Sequence, residues 1–239
     1  MAQYYTDFSE YEIGLPPTDW TPRWRPAIDY LVVEDSLAHN GVAFRIGPGP
    51  AAITNELYSW DAIAPNADFE VLYRWRATSS HASGFNGGVA GRASGAYADA
   101  TGYAAGSLFT NFARRRVARL DSGTITLKQE VTSLAMAGID VYKFSRFRVQ
   151  ENNLQFRAWP GELADEPAAW QIDLTDDQYT DAGWIGAYRS FNNQYVYYDF
   201  FAVGTDGDSA PTAPLLGSFR LYNPFRCHAF HSYRIGGAV

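Results

Sequence analysis

Period-two alternation of apolar and polar residues recurs along this chain and leaves little room for a helical fold. In ADFEVLYRWRATS, Phe69, Val71, Tyr73 and Trp75 fall on one side and Glu70, Arg74 and Arg76 on the other, the pattern of a half-buried strand. HNGVAFRIGPG, DSGTITLKQEV, YKFSRFRVQ, NLQFRAWPG and NQYVYYDFFAVG alternate in the same way, each bounded by Gly, Pro, Asn or Asp. FSRFRVQ and LQFRAW, joined across Glu151-Asn152-Asn153, read as a hairpin. TSLAMAGID and PGELADEPAAW offer a helical turn or two at most, and Pro167 interrupts the second. The expected class is all-β, built from antiparallel sheets packed face to face.

Such a sandwich needs large side chains between its layers. The 7 Trp, 16 Tyr and 15 Phe residues would fill that space, or would supply rings that stack on sugars. A chain this aromatic, with only 19% charged residues, is not disordered. The stretch Gly84–Gly106 is rich in Gly and Ala and poor in large apolar residues; it reads as a sheet edge or a loop excursion suited to close backbone approach, not as core.

Charge separates two segments. From Ser209 onward there are three arginines and no acid, so this segment is +3 and residues 1–208 carry −10. The expected organisation is one sandwich domain over 1–208, then SAPTAPLLG as a linker into a basic tail, 209–239, with five aromatics. The tail either packs on its own domain or docks on a partner through Arg220, Tyr222, Phe225, Arg226, Phe230 and Tyr233. A net charge of −7 argues against nucleic acid as a partner. Cys227 alone cannot form an internal disulfide. MAQYYTDFSEYEIG lacks the basic and apolar regions of a secretion signal, and no apolar run is long enough to insert in a membrane, so synthesis in a cytoplasm is expected.

Residues 141–207 add a specific order of features: an arginine-studded hairpin ending in Trp159, then EPAAW, an acidic stretch, GWIGAY, and a closing aromatic strand with Asp199 leading into FFAVGTDG. This order resembles the C-terminal half of concanavalin A-like lectin/glucanase jelly rolls, especially the laminin-G-like and sugar-hydrolase-associated branches. The resemblance implies a two-sheet antiparallel jelly-roll sandwich followed by the C-terminal extension.

Catalytic members of that family carry carboxylates at alternating positions of one strand, as Glu-x-Asp-x-x-Glu or a close variant, and glycoside hydrolysis needs two carboxylates about 5 to 10 Å apart. No such run occurs; Glu34-Asp35, Asp176-Asp177 and Asp206-x-Asp208 sit in turn-like contexts. There is no G-x-S-x-G elbow, P-loop or dinucleotide fingerprint, so no catalytic residue is assigned and no enzyme is expected. Asp199, Asp206 and Asp208 are weak calcium candidates; no other cofactor is implied. Asp199 reads better as a structural hydrogen-bonding group at a sheet edge. Cys227, His228 and His231 are too few for a closed zinc site. Arg114, Arg115, Arg116 and Arg119 read as an exposed strand paired to acids, or as a patch for anionic glycans or a partner.

The family resemblance implies a sugar surface, which needs an aromatic platform beside planar donors and acceptors. Gln155, Arg157 and Trp159 lie on one face of a strand, and Tyr188, Arg189 and Asn192 form a second candidate set. A jelly roll with neither a secretion signal nor an attached catalytic domain resembles bacteriophage or prophage virion proteins. The expectation is therefore a non-enzymatic virion accessory protein, at the head or the tail, presenting a lectin-like domain to host-surface glycans. It would be held by other virion proteins as a homo-oligomer, with a trimer expected from the threefold symmetry of projecting virion proteins. The alternative is a bacterial carbohydrate-binding module or glycoside-hydrolase relative.

Overall fold

A computed structural model describes residues 2–24, 30–47, 55–78, 85, 87–96, 99–108, 114–132, 138–190 and 194–212. Among these, fifteen strands and one 3-10 turn form two antiparallel sheets. The first sheet runs in the order β13 (Ile172–Thr175), β12 (Asn153–Pro160), β11 (Lys143–Gln150), β6 (Phe69–Ala77), β15 (Val196–Thr205), β4 (Val42–Ile46), β3 (Tyr30–Glu34), with β1 (Ala2–Thr6) also paired to β15. The second runs β10 (Thr124–Thr132), β9 (Arg114–Asp121), β8 (Thr101–Leu108), β7 (Gly87–Ser94), β14 (Trp184–Ser190), β5 (Asn55–Trp60), β2 (Trp20–Trp24). No helix of the described residues is long and apolar enough to cross a membrane.

The alternation of β6 sends Phe69, Val71, Tyr73 and Trp75 into the space between the sheets, where they are buried. Trp20 and Trp60 stack there with ring centroids 5.7 Å apart, and Phe201 meets both edge-on. The expected hairpin is β11–β12, paired from Lys143↔Pro160 to Gln150↔Asn153, so its connection is two residues rather than three. Glu151 makes that turn with φ 50°, its N–H donating to Asp68 Oδ1 at 2.8 Å.

The Gly/Ala-rich stretch departs from expectation. It supplies β7, the middle strand of the second sheet, and β8 beside it, and Val89, Ala90, Tyr103, Ala104 and Ala105 are fully buried. A Cβ on Gly87 would fall inside the Trp75 ring and one on Gly91 inside the Phe69 ring. Small residues are required here because the aromatics of the opposite sheet press on this backbone. Close approach was legible in the composition; its location at the centre was not.

The outward face of the first sheet is also covered, which the half-buried pattern of β6 did not anticipate. Leu72, Phe144, Trp159, Phe200 and Ala202 form a second apolar layer closed by Leu163 of the 3-10 turn and by Ala210. In PGELADEPAAW the predicted turn is this 3-10 segment, Leu163–Asp165, with Asp165 Oδ2 accepting the Glu162 N–H at 2.8 Å. In TSLAMAGID, residues 133–137 lie outside the described residues. SAPTAPLLG begins as packed chain: the Ala210 N–H donates to Glu70 Oε1 at 3.1 Å.

Candidate glycan-binding surface

Gln155 and Arg157 project outward from β12, as alternation requires, and both are half-buried. Trp159 shares their face but not their exposure. It is 2% exposed, its ring stacked on Phe144 at 5.5 Å and its Nε1–H donated to Glu162 O at 2.9 Å. Trp159 is therefore an apolar plug, and the expectation that it offers a stacking platform is corrected. Its strand end is folded under by the 3-10 turn that follows, a packing that alternation cannot reveal.

The second candidate set is also internal. Tyr188 has no exposed surface; it packs against Phe85 and donates its hydroxyl to Asn55 Oδ1 at 3.0 Å. Arg189, on the opposite face of β14, is 1% exposed and lies 3.6 Å from Glu56, and its guanidinium donates to Gln194 O at 3.2 Å. Burial pushes the Glu56 carboxyl up to about 7 despite Arg189. These residues tie the sandwich together and cannot meet a glycan. Asn192 lies outside the described residues, as do Cys227, His228, His231 and the six tail positions singled out for docking.

The ring that does sit beside Arg157, and beside Arg148 of the neighbouring strand, is Trp170. It follows the EPA turn, immediately before a backbone anchor: the Gln171 N–H donates to Phe156 O at 3.1 Å, and its side chain brackets Ala158 through both N–H and C=O. The Arg157 guanidinium lies 4.2 Å and that of Arg148 5.2 Å from the half-buried Trp170 ring centre. Gln155 Nε2 donates to the exposed Asp173 at 3.0 Å.

An ion-pair chain holds these groups rigid. Arg157 pairs with Glu166 at 2.5 Å, Glu166 receives Arg146 Nε at 2.6 Å, Arg146 also reaches Glu70, and Glu70 receives Arg148 Nε at 2.6 Å. Burial pulls the Arg157 guanidinium down, while the bonds to Glu166 and Glu70 hold Arg146 up against its own burial. A shallow depression beside Arg148 is lined by Asp68, Glu70, Gln150 and Asp208. An aromatic ring next to pre-positioned planar donors and acceptors has the composition that a sugar ring meets in a binding site. Trp170 was missed because it lies in a loop, where period-two reasoning does not apply; its proximity to the hairpin motif was the available signal.

Asp199, Asp206 and Asp208 do not converge. Asp199 is fully buried near the start of β15, where it accepts the His39 N–H at 2.8 Å and pairs with Arg74; burial pushes its carboxyl up to about 7. Asp206 follows the far end of that strand, more than about 20 Å away at roughly 3.3 Å per residue, and accepts from Asn66 Nδ2 at 2.9 Å. Among the described residues no three His, Cys, Asp or Glu side chains could hold a metal ion together, so the weak calcium candidates do not share a site. The structural reading of Asp199 holds, although β15 is an inner strand rather than an edge.

Two of the other candidate carboxylates are engaged as well. Asp35 accepts from Arg76 at 2.9 Å and from the Tyr142 hydroxyl at 2.7 Å, and Asp176 lies 2.5 Å from Lys128. Arg114 and Arg116 both pair with Glu130 of β10, as an exposed strand paired to acids would, whereas Arg115 turns inward and donates to Ala158 O at 2.8 Å. Burial pulls the Arg115 guanidinium down to about 10.

Two twisted antiparallel sheets with this aromatic interlayer define a jelly roll of the concanavalin A-like lectin/glucanase fold. Three solved structures share it. The exoplasmic/lumenal domain of VIP36, in its Ca2+/Man3GlcNAc-bound form, is 13% identical over 80% of this chain and 86% of its own, with a TM-score of 0.50. SO2946 of Shewanella oneidensis MR-1, described as of unknown function, is 10% identical over 84% of this chain and 85% of its own, with a TM-score of 0.51. A K247S mutant of the GH43 protein BlXynB from Bacillus licheniformis is 14% identical over 84% of this chain but only 39% of its own, with a TM-score of 0.53. No protein-family model and no curated protein sequence matches.

Proposed function

We propose that this chain is a non-enzymatic glycan-binding protein whose sugar surface is the outer face of the first sheet around Trp170, with Arg148, Arg157, Gln155 and Asp173 as the polar partners. The observation that carries the reading is the half-buried Trp170 ring beside two guanidinium groups that Glu70 and Glu166 hold in place. Pre-organised groups of this kind lose little freedom on binding, so they favour recognition of a rigid, amphipathic ring. A glycan array followed by calorimetry on the best ligand tests it: binding is expected for the native chain and loss of at least about tenfold for Trp170→Ala, while native binding unaffected by that change would overturn the surface assigned.

The finer part of the proposal is the setting, a bacteriophage virion accessory protein with the lectin-like domain on the particle surface and residues 213–239 docking on other virion proteins. What supports it is the contrast between the +3 aromatic segment and the −10 remainder of the chain. A chain ending at residue 212 is expected to fold, yet to lose association with the particle and the proposed trimer, read by particle sedimentation and native mass spectrometry. The second reading is a bacterial carbohydrate-binding module or glycoside-hydrolase relative, which the likeness to part of the GH43 protein keeps in play. Glycan turnover abolished by replacing a carboxylate would favour it and sink the non-enzymatic reading.

A further inference from the structure

A second polar cleft opens where the β7–β8 hairpin meets the segment before β14. Its cavity volume is about 220 Å³; it is lined by Arg92, Ser94, Thr101, Gln178, Tyr179, Thr180, Asp181 and Ala182, and it shares no residue with the Trp170 surface.

Its floor is over-determined. Arg92 is 4% exposed and takes φ 46° at a bulge in β7, a conformation that costs a side-chain-bearing residue backbone strain. Its guanidinium donates to Ala67 O at 2.6 Å, Tyr179 O at 3.0 Å, Asp68 Oδ1 at 3.2 Å and Glu151 O, stitching together three loops. The wall is fixed by the Tyr179 hydroxyl, which donates to Asp121 at 2.6 Å, and by the Tyr179 N–H, which donates to the Tyr103 hydroxyl at 3.1 Å. On this frame Ser94 and Thr101 bring their hydroxyls within 2.7 Å of each other, and Gln178, Thr180 and Asp181 are exposed across the cleft.

The lining is selective in its chemistry. Three hydroxyls, an amide and a carboxylate can exchange hydrogen bonds with vicinal hydroxyl groups, the carboxylate accepting from two at once. The guanidinium in the floor is already committed to four oxygens. An anionic ligand would therefore meet the exposed Asp181 carboxylate over a guanidinium already committed to backbone and carboxylate oxygens. We infer that this cleft is a second binding site, specific for the vicinal diol of a neutral sugar residue. The site stands independently of the Trp170 reading.

The test is an amide-shift NMR titration of the full chain with methyl glycosides of glucose, galactose and mannose, and with glucuronic acid. At least one neutral glycoside should give saturable shifts in Ser94, Thr101 and residues 178–182, weakened by at least about tenfold in Asp181→Asn and in Gln178→Ala, and unchanged in Trp170→Ala. All three are partly or fully exposed positions, and unchanged melting temperatures for the two cleft variants would show that the fold is intact. The inference is overturned by the absence of saturable shifts with every neutral glycoside, by shifts that both cleft variants leave intact, by tighter binding of glucuronic acid, or by loss of the cleft shifts in Trp170→Ala. If Trp170→Ala abolishes array binding while the cleft shifts persist, both sites stand; if the array is negative and the cleft shifts persist, only the Trp170 reading falls.

Discussion

Trp75 of β6 occupies the volume that a side chain on Gly87 of β7 would need. The two residues face each other across the sandwich, one sheet contributing the ring and the other a bare backbone. Gly87→Ala must displace a fully packed indole, and overpacking of this kind costs about 1–3 kcal/mol or more. Urea denaturation should show that loss, with Gly138→Ala, whose Cβ would meet nothing within 4 Å, as a near-neutral control.

Trp159 and Trp170 lie eleven residues apart and should separate stability from binding. Trp159→Ala empties a buried site and is expected to destabilise by about 3–5 kcal/mol. Trp170→Ala removes a half-buried ring and should cost under about 2 kcal/mol while weakening binding of the best array ligand at least about tenfold. Paired chemical denaturation and calorimetry would check both.

Two buried carboxyls set a pH dependence. Burial raises Asp199 and Glu56 to about 7 in the folded chain, whereas unfolded carboxyls titrate near 4. Between these values the folded state binds more protons than the unfolded state, so stability falls as pH rises from about 4.5 to 7 and levels off above. Asp35, Asp61, Asp121 and Asp176 are held low by their hydrogen bonds and cationic neighbours despite desolvation, so their contribution is lost only as pH drops below the unfolded value. Urea midpoints should therefore be highest near pH 5, and Asp199→Asn should flatten the decline toward neutrality.

The arginine cluster of β9 should divide by face. Arg114→Gln and Arg116→Gln break partly exposed pairs with Glu130 and should each cost no more than about 1 kcal/mol, with glycan binding unchanged. A fall in binding to anionic glycans in either variant would restore the basic-patch reading.

The amino-acid sequence was sufficient for the all-β class, the inward set of β6, the β11–β12 hairpin and the outward placement of Gln155 and Arg157. These follow from the pleat, which alternates side chains whatever surrounds the strand. It was not sufficient for burial on the outward face. Arg157 stays half-buried while Trp159, two residues on, is sealed beneath Phe144 and the 3-10 turn. Tyr188 and Arg189 likewise look like sugar-binding residues by type and are internal by packing.

Local pattern determined which way each side chain points; the tertiary structure decided what covers it. Period two assigns a residue to a face, but a second apolar layer, a returning segment at Ala210 and a ring brought in from a loop are contacts between residues distant in the chain. For the same reason the Gly/Ala-rich stretch could be read as allowing close approach, while only the folding of β6 across from β7 made it the centre of a sheet.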